Sequence, residues 1–431
     1  MSEQRTKIAY LSNGFGNFSR SLFSSLAYAG YSAEINLWCS DKQKSLNEEV
    51  IANNIRAKNP NSKGDIIYIS ADSAEAALKN AGLVILEFNG LTPLEMSRSL
   101  EICSKNGVSP YSGNNAGAIF AVNACALLPE MLDIGARIRS ICPKAFVVNI
   151  STPLAVSMLC LSEIFPKIKM IGCLDETDST IETVAEILTA NGIPNVKKRL
   201  IKRNLTGIPG FNFFTSLTYN GEDVLPIIKN AAENYFKSSN KTASNAAKFD
   251  FFLRYDVLPA VTDASLADFL PDWYKDSHIT KISPSEPLDE YKRFNSLTKA
   301  LRGGTVLPVG NFTETAYIIK ALTGGGNLIS EVAAVVRECG HTTVKKTNAL
   351  ISEKSCKSLE SETLPPEVSI YTCRHRLNYK ILLDALKQRD LDIAFNAFLN
   401  EPQMTLPIDT AAKCFTELLT AARQKLIYYL Q

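Results

Sequence analysis

The sequence carries almost no excess charge: 46 basic against 44 acidic side chains in 431 residues leave a net +2. That balance gives no electrostatic footprint for a nucleic-acid partner. No apolar run comes near the ~20 residues a membrane span requires, and the start does not read as a secretory leader. The ten cysteines are scattered from Cys39 to Cys414 with no CxxC pair, which argues for reduced thiols in the cytoplasm. Asn-x-Ser/Thr triplets such as Asn204-Leu-Thr206 then have no glycosylation meaning.

What is present is globular: 45% apolar and 21% charged residues, enough chain for two domains or one large domain with an added lobe. The stretch from Ala145 to Thr177, AFVVNISTPLAVSMLCLSEIFPKIKMIGCLDET, organises the rest. Phe146–Val148 reads as a buried strand, and Asn149-Ile-Ser-Thr-Pro153 as a turn, because proline suits the first turn of a helix. A helix with Leu154, Met158, Leu159 and Leu161 follows, then a strand Lys169–Gly172 that delivers Cys173-Leu-Asp-Glu176 to its C-terminal edge. Ligands of open α/β sheets sit at that edge.

At the N-terminus a strand, Lys7–Leu11, runs into Ser12-Asn-Gly-Phe-Gly16 and a helix from Phe18 with Leu22, Leu26 and Ala27 on one face. This is the form of a dinucleotide site, which needs a tight turn, a closely approachable backbone and the free N–H groups of a helix N-terminus. Against GxGxxG, residues Ser12, Gly14 and Asn17 fill the glycine positions, so only the middle glycine is kept. Ser12, Asn13, Gly14, Phe15 and Gly16 are the candidate cofactor residues, and side chains at Ser12 and Asn17 predict weak or absent NAD affinity. After the second strand, Ile35–Trp38, the nearest acid for a ribose hydroxyl is Asp41, which reads equally as a solvated turn residue.

Further strands at Ile66–Ile69 and Gly82–Glu87 alternate with helices containing Ala74–Asn80 and Leu94–Lys105, which predicts a doubly wound parallel sheet. Beyond the loop Tyr111–Gly117 two helices are expected, Ala118 to about Leu128 and Met131–Ile141. Helix Ile181–Ala190 and a strand Val196–Arg199 close a Rossmann-like unit over residues 1–200. Residues 201–431 then read as a mixed α+β second domain. It starts with a strand Phe211–Tyr219 and a hairpin signal at Asn220-Gly221. Helices follow at Pro226–Phe236, Ala316–Leu322, Tyr379–Lys387 and Thr410–Tyr429, and Lys237–Ala247 reads as a surface loop or helix cap.

These residues resemble glycoside hydrolase family 4, and within it the α-galacturonidase-like branch. The similarity is carried by KIAYLSNGFGNFSRSL at the N-terminus, VVNISTP, IGCLDE, YNGEDVLP, VLPAVTDASLADFLP and DIAFNAFLNEP, in that order along the whole chain. It implies a lactate/malate-dehydrogenase-like pair of domains, NAD in the first, a divalent metal such as Mn²⁺, and a redox elimination–addition at a glycosidic bond of a small sugar or uronic-acid glycoside. It also implies a homo-oligomer, an expectation strengthened by the apolar helices of the second half.

The resemblance places the family's metal-binding cysteine at Leu174 and its histidine at Gly210, neither of which ligates. Histidine is scarce, with only His278, His341 and His375, so no imidazole is near these motifs and no bound metal is expected. Asp175 matches a residue that some members use as general acid, although a solvated loop acid or a helix cap fits the same position. Asn149, Asp263 and Asp268 are the candidate substrate contacts. Other family positions have changed: an arginine to Asn123, an Asn-Pro pair to Thr152-Pro153, a DRH triplet to Asp263-Ala264-Ser265, and a loop to Val332–Arg337. Three functions stay open: a glycosidase with altered metal use, a non-catalytic relative, and a dehydrogenase with a different hydride acceptor.

Overall fold

A computed structural model describes residues 5–58, 64–108, 113–237, 245–271, 283–303, 305, 313–338, 340–360 and 362–431. Residues 111–112 of the Tyr111–Gly117 loop, most of the Lys237–Ala247 segment and His278 lie outside the described residues.

The first half alternates strands and helices: β1 (Thr6–Ser12), α1 (Asn17–Tyr28), β2 (Ala33–Cys39), α2 (Lys42–Lys58), β3 (Ile66–Ser70), α3 (Ala74–Leu78), β4 (Leu83–Glu87), α4 (Pro93–Lys105) and α5 (Phe120–Ile141). Then come β5 (Phe146–Asn149), α6 (Leu154–Ile164), β6 (Lys169–Gly172) and α7 (Asp178–Ala190). The strands pair in parallel in the order β3-β2-β1-β4-β5-β6, a Rossmann-like arrangement whose switch point lies between β1 and β4. β4 and β5 are buried along their whole length, as expected of strands covered on both faces.

The second half continues with β7 (Lys202–Ile208), β8 (Phe211–Tyr219), β9 (Glu222–Asp223), α8 (Leu225–Lys237), α9 (Ala246–Tyr255), β10 (Leu258–Pro259), α10 (Asp263–Asp268), α11 (Glu286–Arg302) and α12 (Thr313–Leu322). Last are β11 (Leu328–Glu338), β12 (His341–Ser352), β13 (Ser355–Ser358), α13 (Pro366–Gln388), α14 (Leu391–Leu399) and α15 (Ile408–Ala421). The sheet does not stop at residue 200: β11 pairs antiparallel with β6, β12, β7, β8 and β10 carry it on, and β13 on β12 and β9 on β8 bring it to thirteen strands among the described residues. Two large apolar clusters flank this sheet, one built on α5, α6 and α13–α15, the other on α1, α2 and α12.

Several expectations change. The strand placed at Val196–Arg199 is absent: a short 3-10 turn, Lys198–Leu200, stands there with its cationic side chains exposed and no apolar face to bury. The two helices around Pro129 are one, α5, because Cys125–Leu128 before the proline and Met131, Ile134 and Ile138 after it bury on the same core. The segment Val332–Arg337, read as a replaced loop, is the middle of β11 with Val332, Ala333 and Ala334 buried. The C-terminal helix ends at Ala421 and tightens into a 3-10 segment to Tyr429. The hairpin forms as read, with Asn220 (φ 54°) and Gly221 (φ 90°) both left-handed, as a type I′ turn requires.

Candidate active site

Four strands meet in one row: Gly172 of β6 faces Ala333 of β11, Ala333 faces Lys346 of β12, and Lys346 faces Gly207 of β7. Just beyond this row the chain carries Leu174, Asp175 and Glu176 on one side and Gly210 and Asn212 on the other. The strand order therefore brings together two motifs that are far apart in sequence.

Leu174 packs half-buried on the core, and its carbonyl accepts a hydrogen bond from Lys346 Nζ at 2.8 Å. Lys346 is buried, and its ammonium lies 3.9 Å from Glu176 Oε2. Glu176 accepts from the Gly210 N–H at 2.9 Å and from Asn212 Nδ2 at 2.7 Å. Burial raises the Glu176 carboxyl, and the ammonium of Lys346 pulls it back.

Asp175 is held differently. Its carboxyl is pushed up to about 8, first by burial and then by the Asp178 carboxylate, with Lys346 opposing and Glu314 and Glu331 adding. Oδ1 is 3.5 Å from the Thr315 hydroxyl, and Oδ2 is buried with no hydrogen-bond partner among the described residues. At neutral pH this carboxyl keeps its proton. Around it, Glu331 accepts from Thr177 at 2.8 Å and pairs with Arg203, and Ser330 donates to Glu314 at 2.6 Å.

A second buried polar cluster grips the loop before α5. Asp268 Oδ2 accepts the Gly113 N–H at 3.1 Å, and Glu401 accepts the Gly117 N–H at 2.9 Å and Asn378 Nδ2 at 2.8 Å. Burial pushes Glu401 up to about 8 and His375, 3.8 Å from Glu401, down to about 3. Asn123 closes the same loop, donating to the Gly113 carbonyl at 3.2 Å and accepting the Leu91 N–H at 2.9 Å. The two clusters touch where Gly210 meets Asn115 and Phe269.

Other sequence-selected residues lie apart. Asn149 is fully buried, donating to Ser157 Oγ at 3.0 Å and accepting the Ser151 N–H at 2.9 Å, so its amide holds the β5–α6 turn. Asp263 is spent on the N-terminus of α9, accepting the N–H groups of Ala247 (3.0 Å) and Lys248 (3.2 Å).

The β1–α1 loop runs from the C-terminal end of β1 to the N-terminus of α1. Ser12 lies under it and accepts the Gly14 N–H at 3.0 Å, and Phe15 is buried against Tyr10. The space above Gly14 is open: a Cβ there meets nothing within 4 Å. Asn13 is anchored to the Asn89 carbonyl (2.8 Å) and Glu130 (2.7 Å). Gly16 sits above Glu87, whose carboxyl accepts from Tyr10 at 3.0 Å and is pushed up to about 8 by burial. Asp41 accepts the Gln43 N–H at 3.0 Å and so starts α2.

Sequence reasoning missed Lys346, Glu401, His375 and Glu87. Glu401 lies in the DIAFNAFLNEP motif, which gave a usable signal. Lys346 gave none, because its importance depends on strand order.

A divalent ion does not fit these residues. No group of three or more His, Cys, Asp or Glu is placed to hold a metal among the described residues. Burial also holds the Cys173 thiol protonated. At Gly210 (φ +81°) any added Cβ would be 3.0 Å from Asn115 and Phe269.

The Family 4 glycosyl hydrolase profile matches residues 7–190, and the Family 4 glycosyl hydrolase C-terminal domain profile matches residues 205–404. An alpha-galacturonidase of Thermoanaerobacterium saccharolyticum is 30% identical over 449 residues, spanning 97% of this chain and 96% of the relative. The solved structure of lplD of Bacillus subtilis, described as a glucosidase, superposes with a TM-score of 0.87 at 26% identity, over 96% of this chain and 100% of that one. A 6-phospho-alpha-glucosidase from gut microorganisms, solved with NAD and Mn²⁺, shares the fold with a TM-score of 0.79 at 15% identity, over 98% and 99% of the two chains. With both profiles matched and these alignments running nearly end to end, the chain belongs to glycosyl hydrolase family 4.

Proposed function

We propose that this family member is a glycosidase of the α-galacturonidase type, acting on small glycosides of a uronic acid without a divalent metal. The observation that carries it is Asp175: a half-buried carboxyl at the C-terminal edge of β6, pushed up to about 8, with its buried Oδ2 lacking a partner among the described residues. Such a group donates its proton to a leaving glycosidic oxygen. Lys346 and Glu176 fix the backbone on either side of it, and Asp268 and Glu401 fix the loop opposite.

In place of the weak or absent affinity expected from the side chain at Ser12, we take NAD to fit the β1–α1 loop, because Ser12 is buried beneath it and does not crowd the backbone above. The open backbone at Gly14 and the N-terminus of α1 would face its pyrophosphate, and Asp41, half-exposed after β2, would face a ribose hydroxyl. When bound, NAD supplies a reversible hydride acceptor. Glu87 below the loop stays neutral up to about pH 8 and so adds no charge against that pyrophosphate. No step of the proposed chemistry runs through a metal. The same reading makes the protein a cytoplasmic homo-oligomer, supported by free thiols at every described cysteine and by exposed Ile370 and Leu377 on α13.

A second reading, a non-catalytic binder, is favoured by the occupied ligand positions at Leu174 and Gly210. Release of galacturonate from an α-linked digalacturonate, measured with added NAD, separates the two. Turnover that falls by about 10²–10⁴-fold in Asp175→Asn supports a proton donor. Saturable substrate binding without turnover would instead establish the binder.

A further inference from the structure

We propose that the Lys346 ammonium is the resident cation of this site, built into the chain between the two positions at which the family resemblance expects metal ligands. The inference rests on the family reading of Leu174 and Gly210, and it goes beyond the proposed glycosidase in assigning a residue and an electrostatic role.

The geometry forms a closed bridge. Lys346 Nζ donates to the Leu174 carbonyl at 2.8 Å, stands 3.9 Å from Glu176 Oε2, and Glu176 in turn accepts the Gly210 N–H at 2.9 Å. One positive and one negative side chain thus join the two expected ligand positions, with Asn212 completing the carboxylate at 2.7 Å. Lys346 is 1% exposed and the Glu176 side chain 12%, so each charge has the other as its compensation. The position is dictated by pairing: Lys346 is the residue of β12 that faces both Ala333 of β11 and Gly207 of β7. The glycine at 207, with φ +138°, has no room for a Cβ, which would lie 2.5 Å from the Phe211 carbonyl oxygen.

An ammonium at this place does two things that a metal would otherwise do. It holds the chain after β6 in register with the chain after β7, and it sets a positive charge beside Asp175 and Glu176. It also repels a divalent ion approaching Glu176, whose carboxylate already accepts one hydrogen bond on each oxygen, from Gly210 and from Asn212. Lys346 is thus a positioning residue, and the site is indifferent to Mn²⁺.

The test is Mn²⁺ binding by the full chain, read by calorimetry and by the electron paramagnetic resonance of free Mn²⁺, with no substrate present. The native protein is expected to show no site tighter than roughly millimolar, and its melting temperature is expected to be the same in EDTA and in Mn²⁺. Lys346→Gln, which leaves Glu176 and the Leu174 carbonyl without their cation, is expected to bind Mn²⁺ at least about tenfold more tightly. Lys346→Arg is expected to behave as native. Leu174→Cys, which returns a soft ligand but keeps the ammonium, is expected to gain no binding, and it stands as the test should Lys346→Gln fail to fold. Stoichiometric micromolar Mn²⁺ binding by the native protein or by Leu174→Cys would overturn the proposal, as would Lys346→Gln binding no better than native. Because no turnover is measured, this result stands apart from the fate of the glycosidase reading.

Discussion

At the scale of single residues, the proposed chemistry rests on which carboxyls keep their protons. Asp175 is raised to about 8, chiefly by burial, so a reaction that needs its proton proceeds below that value. We expect kcat/KM to fall about tenfold per pH unit above roughly pH 8. Asp175→Glu keeps the limb but moves it, and a pH–rate profile flat to pH 9.5 would remove Asp175 from the donor role. Gly210 offers a second check. Its φ of +81° strains any side chain, and an added Cβ would stand 3.0 Å from Asn115 and Phe269, tighter than ordinary van der Waals contact. Gly210→Ala is expected to cost about 1–3 kcal/mol in denaturant unfolding, and Gly210→His cannot regain a ligand without larger loss. A neutral Gly210→Ala would show that the turn yields.

Elements explain which parts were legible in the sequence. Asp263 looked like a substrate contact because the motif around it resembles the family's, yet its carboxylate accepts two N–H groups at the start of α9. Asp263→Ala is therefore expected to lower stability by about 1–2 kcal/mol while KM changes by less than about twofold; a large rise in KM with native stability would return it to the substrate. The parallel strands were readable because full burial writes itself as apolar runs such as Leu83–Glu87. Pro129 misled because proline signals a break, and the tertiary burial on both sides of it carries α5 through. Asp175 and the β1–α1 loop stand out as candidates from local motifs alone. Lys346 could not, since a lysine in an alternating strand reads as a solvated residue until β11 and β12 are seen to insert between β6 and β7.

For the whole molecule, one sheet unites the two halves and buries several acids along its C-terminal edge and beneath its loops. Asp175, Glu87 and Glu401 each titrate at about 8 in the folded chain. Raised carboxyl values mean that the folded state holds protons the unfolded chain has already lost, so stability falls as pH rises toward 8. His375, lowered to about 3, acts oppositely, but only between about pH 3 and its ordinary value near 6.5. The denaturation midpoint is thus expected to fall between about pH 6.5 and 8, and to fall less in Glu87→Gln and Glu401→Gln. A midpoint that rises over this window would refute the account of buried neutral acids. The central claim, a family-4 glycosidase that needs no divalent metal, is tested most directly by hydrolysis of α-linked digalacturonate with NAD, in excess EDTA and then in added Mn²⁺. The account predicts galacturonate release at the same rate in both. Release seen only with Mn²⁺, or no release in either condition, would contradict it.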